Sequence, residues 1–241
     1  MVKLTLIFAL MVLSGCQISG GRTYKIKLVG KNLDKQIQEN GGIIIFIRRT
    51  RIVDGSWGSN QAWVQSISAP TLQFKTPLRI DGFFSVTEYL AYILLPSYRI
   101  EYISFEHPSF DVNHEEPHGH WKISPVATDS PDPFIDVFEW LGESRGYVGG
   151  ISNVARVLIE KMHQGKLQRE LYPIAVKLLR QYDQELDAIR PKDRWGRIRV
   201  ERSKKQIKKS IESLAPRAEV IVKHDRNNRE LKHDETPDPM N

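Results

Sequence analysis

Five consecutive apolar residues, Ile43–Ile47 (IIIFI), constrain this chain more than any other stretch of it. Successive side chains of a strand point to opposite faces, so an apolar run of this kind leaves neither face suited to water. Gly41-Gly42 opens the run, and β-branched residues dominate it through Val53. The expectation is a central strand buried on both faces. Tyr92–Leu95 is another uninterrupted apolar stretch of strand size. Neither approaches the roughly 20 residues that a membrane-spanning helix needs.

Strand signals surround this run. Tyr24, Ile26 and Leu28 alternate with polar residues, and Gly30-Lys31-Asn32 then makes a turn. Asp54-Gly55 and Gly58-Ser59-Asn60 are turn clusters. Ala62-Trp63-Val64, Leu72-Gln73-Phe74 and Phe84-Ser85-Val86 form short strands, and Tyr98–Phe105 alternates clearly. Short strands spaced roughly 8–12 residues apart predict an antiparallel β-sandwich over residues 22–125.

Three short motifs in this half are Asp81-Gly82-Phe83-Phe84, Leu95-Pro96-Ser97-Tyr98-Arg99-Ile100 and His107-Pro108-Ser109-Phe110. Together they resemble the carboxypeptidase regulatory-like, or transthyretin-like, sandwich. In that family a leucine-proline-glycine-tyrosine turn delivers the tyrosine onto the core face of the next strand. Two positions depart from the pattern: Ser97 replaces the glycine, and His107-Pro108 replaces a glycine-tyrosine pair. An immunoglobulin-like sandwich is the other reading of the same strands. Either kind implies a binding or spacer module, and fold alone does not supply a function.

The second half changes character. Residues 142–241 carry 22 Lys and Arg against 15 Asp and Glu, whereas the remainder is nearly balanced within a net charge of +6. Residues 126–149, with Asp129, Pro131, Asp132 and Pro133, read as a linker. A helical region is expected over 150–222. Ser152 caps a first helix, with Val154, Val157, Leu158 and Met162 on one face and Gly165 at its end. A second helix carries Leu167, Leu171, Ile174, Leu178, Tyr182 and Ile189, with a start or kink at Pro173. A third turns Ile207, Ile211 and Leu214 inward and stops at Pro216, after which AEVIV is expected to add one strand. Residues 223–241 are polar and are expected to be a disordered tail. The fold class expected is therefore α+β: an N-terminal antiparallel sandwich followed by a small C-terminal helical region.

The N-terminus bears on address. Lys3 supplies a positive start, and Leu4–Leu13 is an apolar core of ten residues, the length of a signal-peptide core rather than of a membrane span. Leu13-Ser14-Gly15-Cys16 follows. This quartet resembles the lipobox of bacterial lipoproteins at all four positions. The resemblance implies a signal peptide over 1–15, cleavage before Cys16, lipid on its thiol and amine, and a short tether over 16–21. Cys16 is the only cysteine, so no disulfide within the chain is possible, and acylation would remove an exposed thiol. Gln17, where an aspartate would retain the protein, implies an outer-membrane lipoprotein facing the periplasm by the sorting rule of enteric bacteria.

Three further clusters have the composition of sites. His107, His114, His118 and His120, with Glu115 and Glu116, form the densest set of potential metal ligands. Pro117 and Gly119 oppose the helix that a zinc-protease motif needs, so a solvated turn is the other reading. Asp129, Asp132 and Asp136 lack the glycine and the terminal glutamate of a calcium loop. Residues 190–209 hold ten Lys and Arg against Asp193 and Glu201, with Trp195 among them. Such a run is either a solvated helix face or an anion-binding one. Export disfavours nucleic acid as its partner.

No nucleophile elbow, phosphate loop or dinucleotide fingerprint occurs in the sequence. The functional expectation is a non-enzymatic envelope lipoprotein, needing no cofactor, held to a membrane through Cys16 and acting as a binding or structural module. Its expected partner is another envelope protein or an anionic envelope polymer. The alternatives are a hydrolase of envelope polymers, or a lipoprotein that binds a metal or small ligand.

Overall fold

The computed structural model describes residues 17–19, 23–52, 61–75, 79–81, 85–106, 120–128, 147–191 and 194–234. In chain order the elements are β1 (Gln17–Ser19), β2 (Thr23–Leu28), α1 (Leu33–Asn40), β3 (Gly42–Ile52), β4 (Gln61–Ile67), β5 (Thr71–Lys75), β6 (Arg79–Asp81), β7 (Ser85–Leu94), β8 (Glu101–Glu106), β9 (His120–Ile123), α2 (Tyr147–His163), α3 (Leu171–Ala188) and α4 (Arg194–Asp234). The fold is mixed α+β.

Strand β3 lies inside a four-stranded antiparallel sheet of order β4-β3-β7-β8. All five residues Ile43–Ile47 are buried, as their composition demands. The pleat sends them to two different cores. Ile43, Ile45 and Ile47, with Leu90, Tyr92 and Leu94 of β7, join one buried cluster with residues of α2, α3 and α4. Ile44 and Phe46, with Tyr89, Ala91 and Ile93, join another with Ile26 and Leu28 of β2 and Leu33 and Ile37 of α1. Each fully buried isoleucine contributes roughly 1.5–3 kcal/mol by leaving water.

The second cluster is closed by a three-stranded sheet of order β5-β2-β9. Leu72 and Phe74 of β5 and Ile123 of β9 pack against it, and the Phe46 and Phe74 rings lie 3.9 Å apart between centroids. Strand β5 runs antiparallel to β2, but β9 runs parallel to it, with Ile26 beside Trp121. The parallel pair departs from an all-antiparallel expectation. Parallel neighbours need a long connection, and the chain between β2 and β9 includes α1 and the six strands β3–β8.

Helix α1 was not legible as a helix. Only Leu33 and Ile37 of its eight residues are buried, one turn apart, too short a pattern to display a period. Gly41 ends it with φ 62°, a left-handed conformation that glycine adopts freely, and its N–H donates to the Ile37 carbonyl at 2.8 Å. Strand β1 occupies part of the stretch expected to be a tether, pairing Gln17 with Asp81 and Ser19 with Arg79 of β6.

The helices cover the other face of the four-stranded sheet. Helix α2 begins at Tyr147, so Ser152 lies within it rather than at its cap, and Ser152 Oγ meets Ser203 Oγ of α4 at 2.5 Å. Pro173 sits in the first turn of α3, where its missing N–H costs no helical hydrogen bond. Helix α4 runs 41 residues, through Pro216 and through residues 223–234 of the stretch expected to be a tail. The AEVIV segment is helical too. A proline inside a helix costs about 3 kcal/mol. Here Leu214, Ala218 and Ile221 are buried on both sides of Pro216 along one face, and their packing offsets that cost. One buried cluster joins residues of β3 and β7 to residues of α2, α3 and α4.

Candidate functional site: the cationic outer face of helix α4

Burial sets the orientation of α4. Val200, Ser203, Ile207, Ser210 and Leu214 are all buried, at alternating spacings of three and four residues. This stripe faces α2 and α3. The serines suit close helix approach: Ser203 Oγ also reaches the Val148 carbonyl at 3.5 Å, and Ser210 Oγ donates to the Gln206 carbonyl at 2.8 Å.

Two contacts pin α4 to α3 in antiparallel alignment. Near the start of α4, Lys204 Nζ lies 2.5 Å from Asp187 Oδ1. Further along, Arg217 Nη1 donates to Tyr172 Oη at 2.9 Å, with its guanidinium carbon 5.7 Å from the centre of the same ring. Lys204, through its hydrogen bond and its charge, holds the Asp187 carboxyl below the usual carboxylate range, with Lys208 and Arg190 adding to the pull. Arg190 also donates to the Asp187 carbonyl. Of the basic residues singled out in the sequence, Lys204 is thereby engaged within the fold.

Arg194, Arg197, Arg202, Lys205, Lys208 and Lys209 are exposed. Trp195 is 67% exposed, an unusual position for an indole. At roughly 100° per residue, Arg194, Trp195, Ile198, Arg202, Lys205 and Lys209 project around the pole opposite Ile207. Between Arg194 and Lys209 the only carboxylate is Glu201, which projects at the flank of that sector. The first turn of the helix contains no acidic residue. Cations there oppose the helix dipole, which favours negative charge at an N-terminus.

A second polar cluster joins the sheet edge to α3. Ser97 adopts φ 70°, the left-handed conformation that the glycine of the resembling turn would take readily. Its N–H donates to Gln181 Oε1 at 2.7 Å, and Gln181 Nε2 donates to the Tyr98 carbonyl at 2.7 Å and to Glu185 Oε1 at 2.9 Å. Tyr98 packs against the second core and donates from its hydroxyl to Gln36 Oε1 of α1. Burial raises the Tyr98 phenol and, more strongly, that of the wholly buried Tyr182, which also feels the Glu185 charge. Burial likewise raises Glu101, against the lowering pull of the Val126 N–H and of Arg99. The partners of Ser97 and Tyr98 in this cluster, Gln181 and Gln36, stand 62 to 84 residues away in sequence, and no local pattern announces them. The cluster locks the 95–98 turn onto α1 and α3.

The remaining sequence candidates lie outside the described residues: Cys16, His107, His114, His118, Glu115, Glu116, Asp129, Asp132 and Asp136. His120 lies on β9, paired with Lys25 of β2. Among the described residues, no group of three or more His, Cys, Asp or Glu could hold a metal ion, and no helix is long and apolar enough to cross a membrane. No family model, curated protein or solved structure matches the chain.

Proposed function

We propose that this chain is a lipid-anchored protein of the bacterial cell envelope that works as a binding or structural module rather than as an enzyme. One observation carries the reading: the Leu13-Ser14-Gly15-Cys16 quartet directly after a ten-residue apolar core that Lys3 precedes. Lipid on Cys16 holds the protein to the membrane, and Gln17 directs it to the outer membrane, facing the periplasm. The two sheets that face each other across the second core are read as a transthyretin-like or immunoglobulin-like sandwich. Its partner is another envelope protein or an anionic envelope polymer.

The test is metabolic labelling with palmitate in a bacterial host. Wild-type chain should incorporate label and shorten on processing. Cys16→Ser should lose essentially all label and accumulate as precursor or as soluble protein. Equal labelling of the variant refutes the anchor.

A further inference from the structure

We propose that the outer face of α4 between Arg194 and Lys209 lies on an anionic phospholipid surface. The inference rests on the reading of Cys16 as a lipid anchor and names the chemistry that one face of the anchored protein meets.

Three observations converge on it. The first is charge complementarity. Arg194, Arg202, Lys205 and Lys209 share one exposed sector, opposite the buried Val200 and Ile207, and Lys204 lies outside it, bound to Asp187. The first described turn of the helix, from Arg194, carries no acidic residue, and lipid phosphates beside it would meet cations and helix N–H groups together.

The second observation is Trp195. Its indole is 67% exposed and borders the cationic sector, with Arg202 and Lys209 following at successive intervals of seven residues. An indole combines an apolar body with a polar N–H and favours the boundary between headgroups and acyl chains. A soluble polyanion would satisfy the cations but would leave the indole in water. A bilayer satisfies both.

The third observation is distance. Strand β1 begins at Gln17, the residue after Cys16, and is already paired with β6. A lipid on Cys16 therefore keeps the folded body beside the bilayer, where weak contacts act at high effective concentration. Acyl chains and a polybasic face are the two kinds of signal that reinforce one another at membranes.

The test uses the unlipidated chain 17–241, which contains every described element, with vesicles of phosphatidylcholine alone or with a minority of phosphatidylglycerol. Wild type should bind only the anionic vesicles, more weakly as salt rises, because exposed charges are screened over about 8 Å at physiological ionic strength. Tryptophan emission should shift to the blue on binding, and Trp195→Phe should abolish that shift. Joint replacement Arg202→Gln, Lys205→Gln and Lys209→Gln should weaken binding on the order of a hundredfold. The circular dichroism and melting temperature of that variant should match wild type, since none of the three side chains is buried.

Equal binding by wild type and the triple variant overturns the proposal, as does equal binding to neutral vesicles. Binding to a soluble polyphosphate but to neither vesicle also overturns it, in favour of a polymer partner. The vesicle assay needs no acylation, so it stands independently of the palmitate result: a failed anchor with intact vesicle binding refutes only the former.

Discussion

Gly42 is the residue on which the join between the sheet and its neighbours depends. A Cβ at this position would stand 2.6 Å from Leu95 Cδ2 and 2.9 Å from the Leu94 carbonyl oxygen. The leucine methyl can rotate away, but the carbonyl belongs to β7, whose register sets Ile43 opposite Leu94. Gly42→Ala should therefore cost about 1–3 kcal/mol, read as a lower urea midpoint, whereas an unshifted midpoint would mean that the strands are not this close. Glu101 makes a different kind of prediction. A carboxyl raised by burial binds more protons folded than unfolded, so its contribution to stability is greatest in acid. It is lost as pH climbs from the ordinary carboxylate pKa through the raised one. Glu101→Gln keeps an oxygen to accept from the Val126 N–H and removes the buried charge. The variant should melt above wild type near neutral pH, with the gap closing below the ordinary carboxylate pKa. A variant less stable at neutral pH than in acid, relative to wild type, would show that Arg99 outweighs burial.

Among the elements, β3 could be read directly because five apolar residues in succession admit few arrangements, and its two-faced burial followed from composition alone. Helix α1 could not, since two apolar residues one turn apart among polar ones fit a loop equally well. The end of α4 is hidden in the sequence for a different reason. Pro216 is a strong local stop signal, but a signal of about 3 kcal/mol yields when burial continues beyond it, and burial at Ala218 and Ile221 is a tertiary fact. The cationic run on α4 was visible in the sequence, whereas the engagement of Lys204 by Asp187 was not, because it depends on the antiparallel packing of two helices. Charge reversal at Lys204 would confuse lost packing with lost binding, and the proposed vesicle test leaves that residue alone. The Gln181 clamp on Ser97 and Tyr98 is beyond sequence reading altogether: a glutamine in a helix looks the same whether it meets water or a distant turn.

For the whole molecule, the four-stranded sheet serves two cores at once. Removing the helices exposes Ile43, Ile45, Ile47, Leu90, Tyr92 and Leu94, six large side chains on one contiguous face. A chain ending at residue 128 should therefore bind an apolar dye and melt without a sharp transition. A cooperative melt and no dye binding would instead show that the strands form an independent unit, as their alternation in the sequence suggests. The short β1–β6 pair has a mechanical consequence. If Cys16 carries the proposed lipid, a force between membrane and protein would enter at Gln17 and fall first on a ladder of three residue pairs. That ladder peels before the five-residue pairing of β2 with β5 is loaded. Peeling frees the chain between Gln17 and Thr23, which can then span at most roughly 20 Å at about 3.5 Å per residue. The pair can thus act as a fuse that yields under load while both cores stay intact.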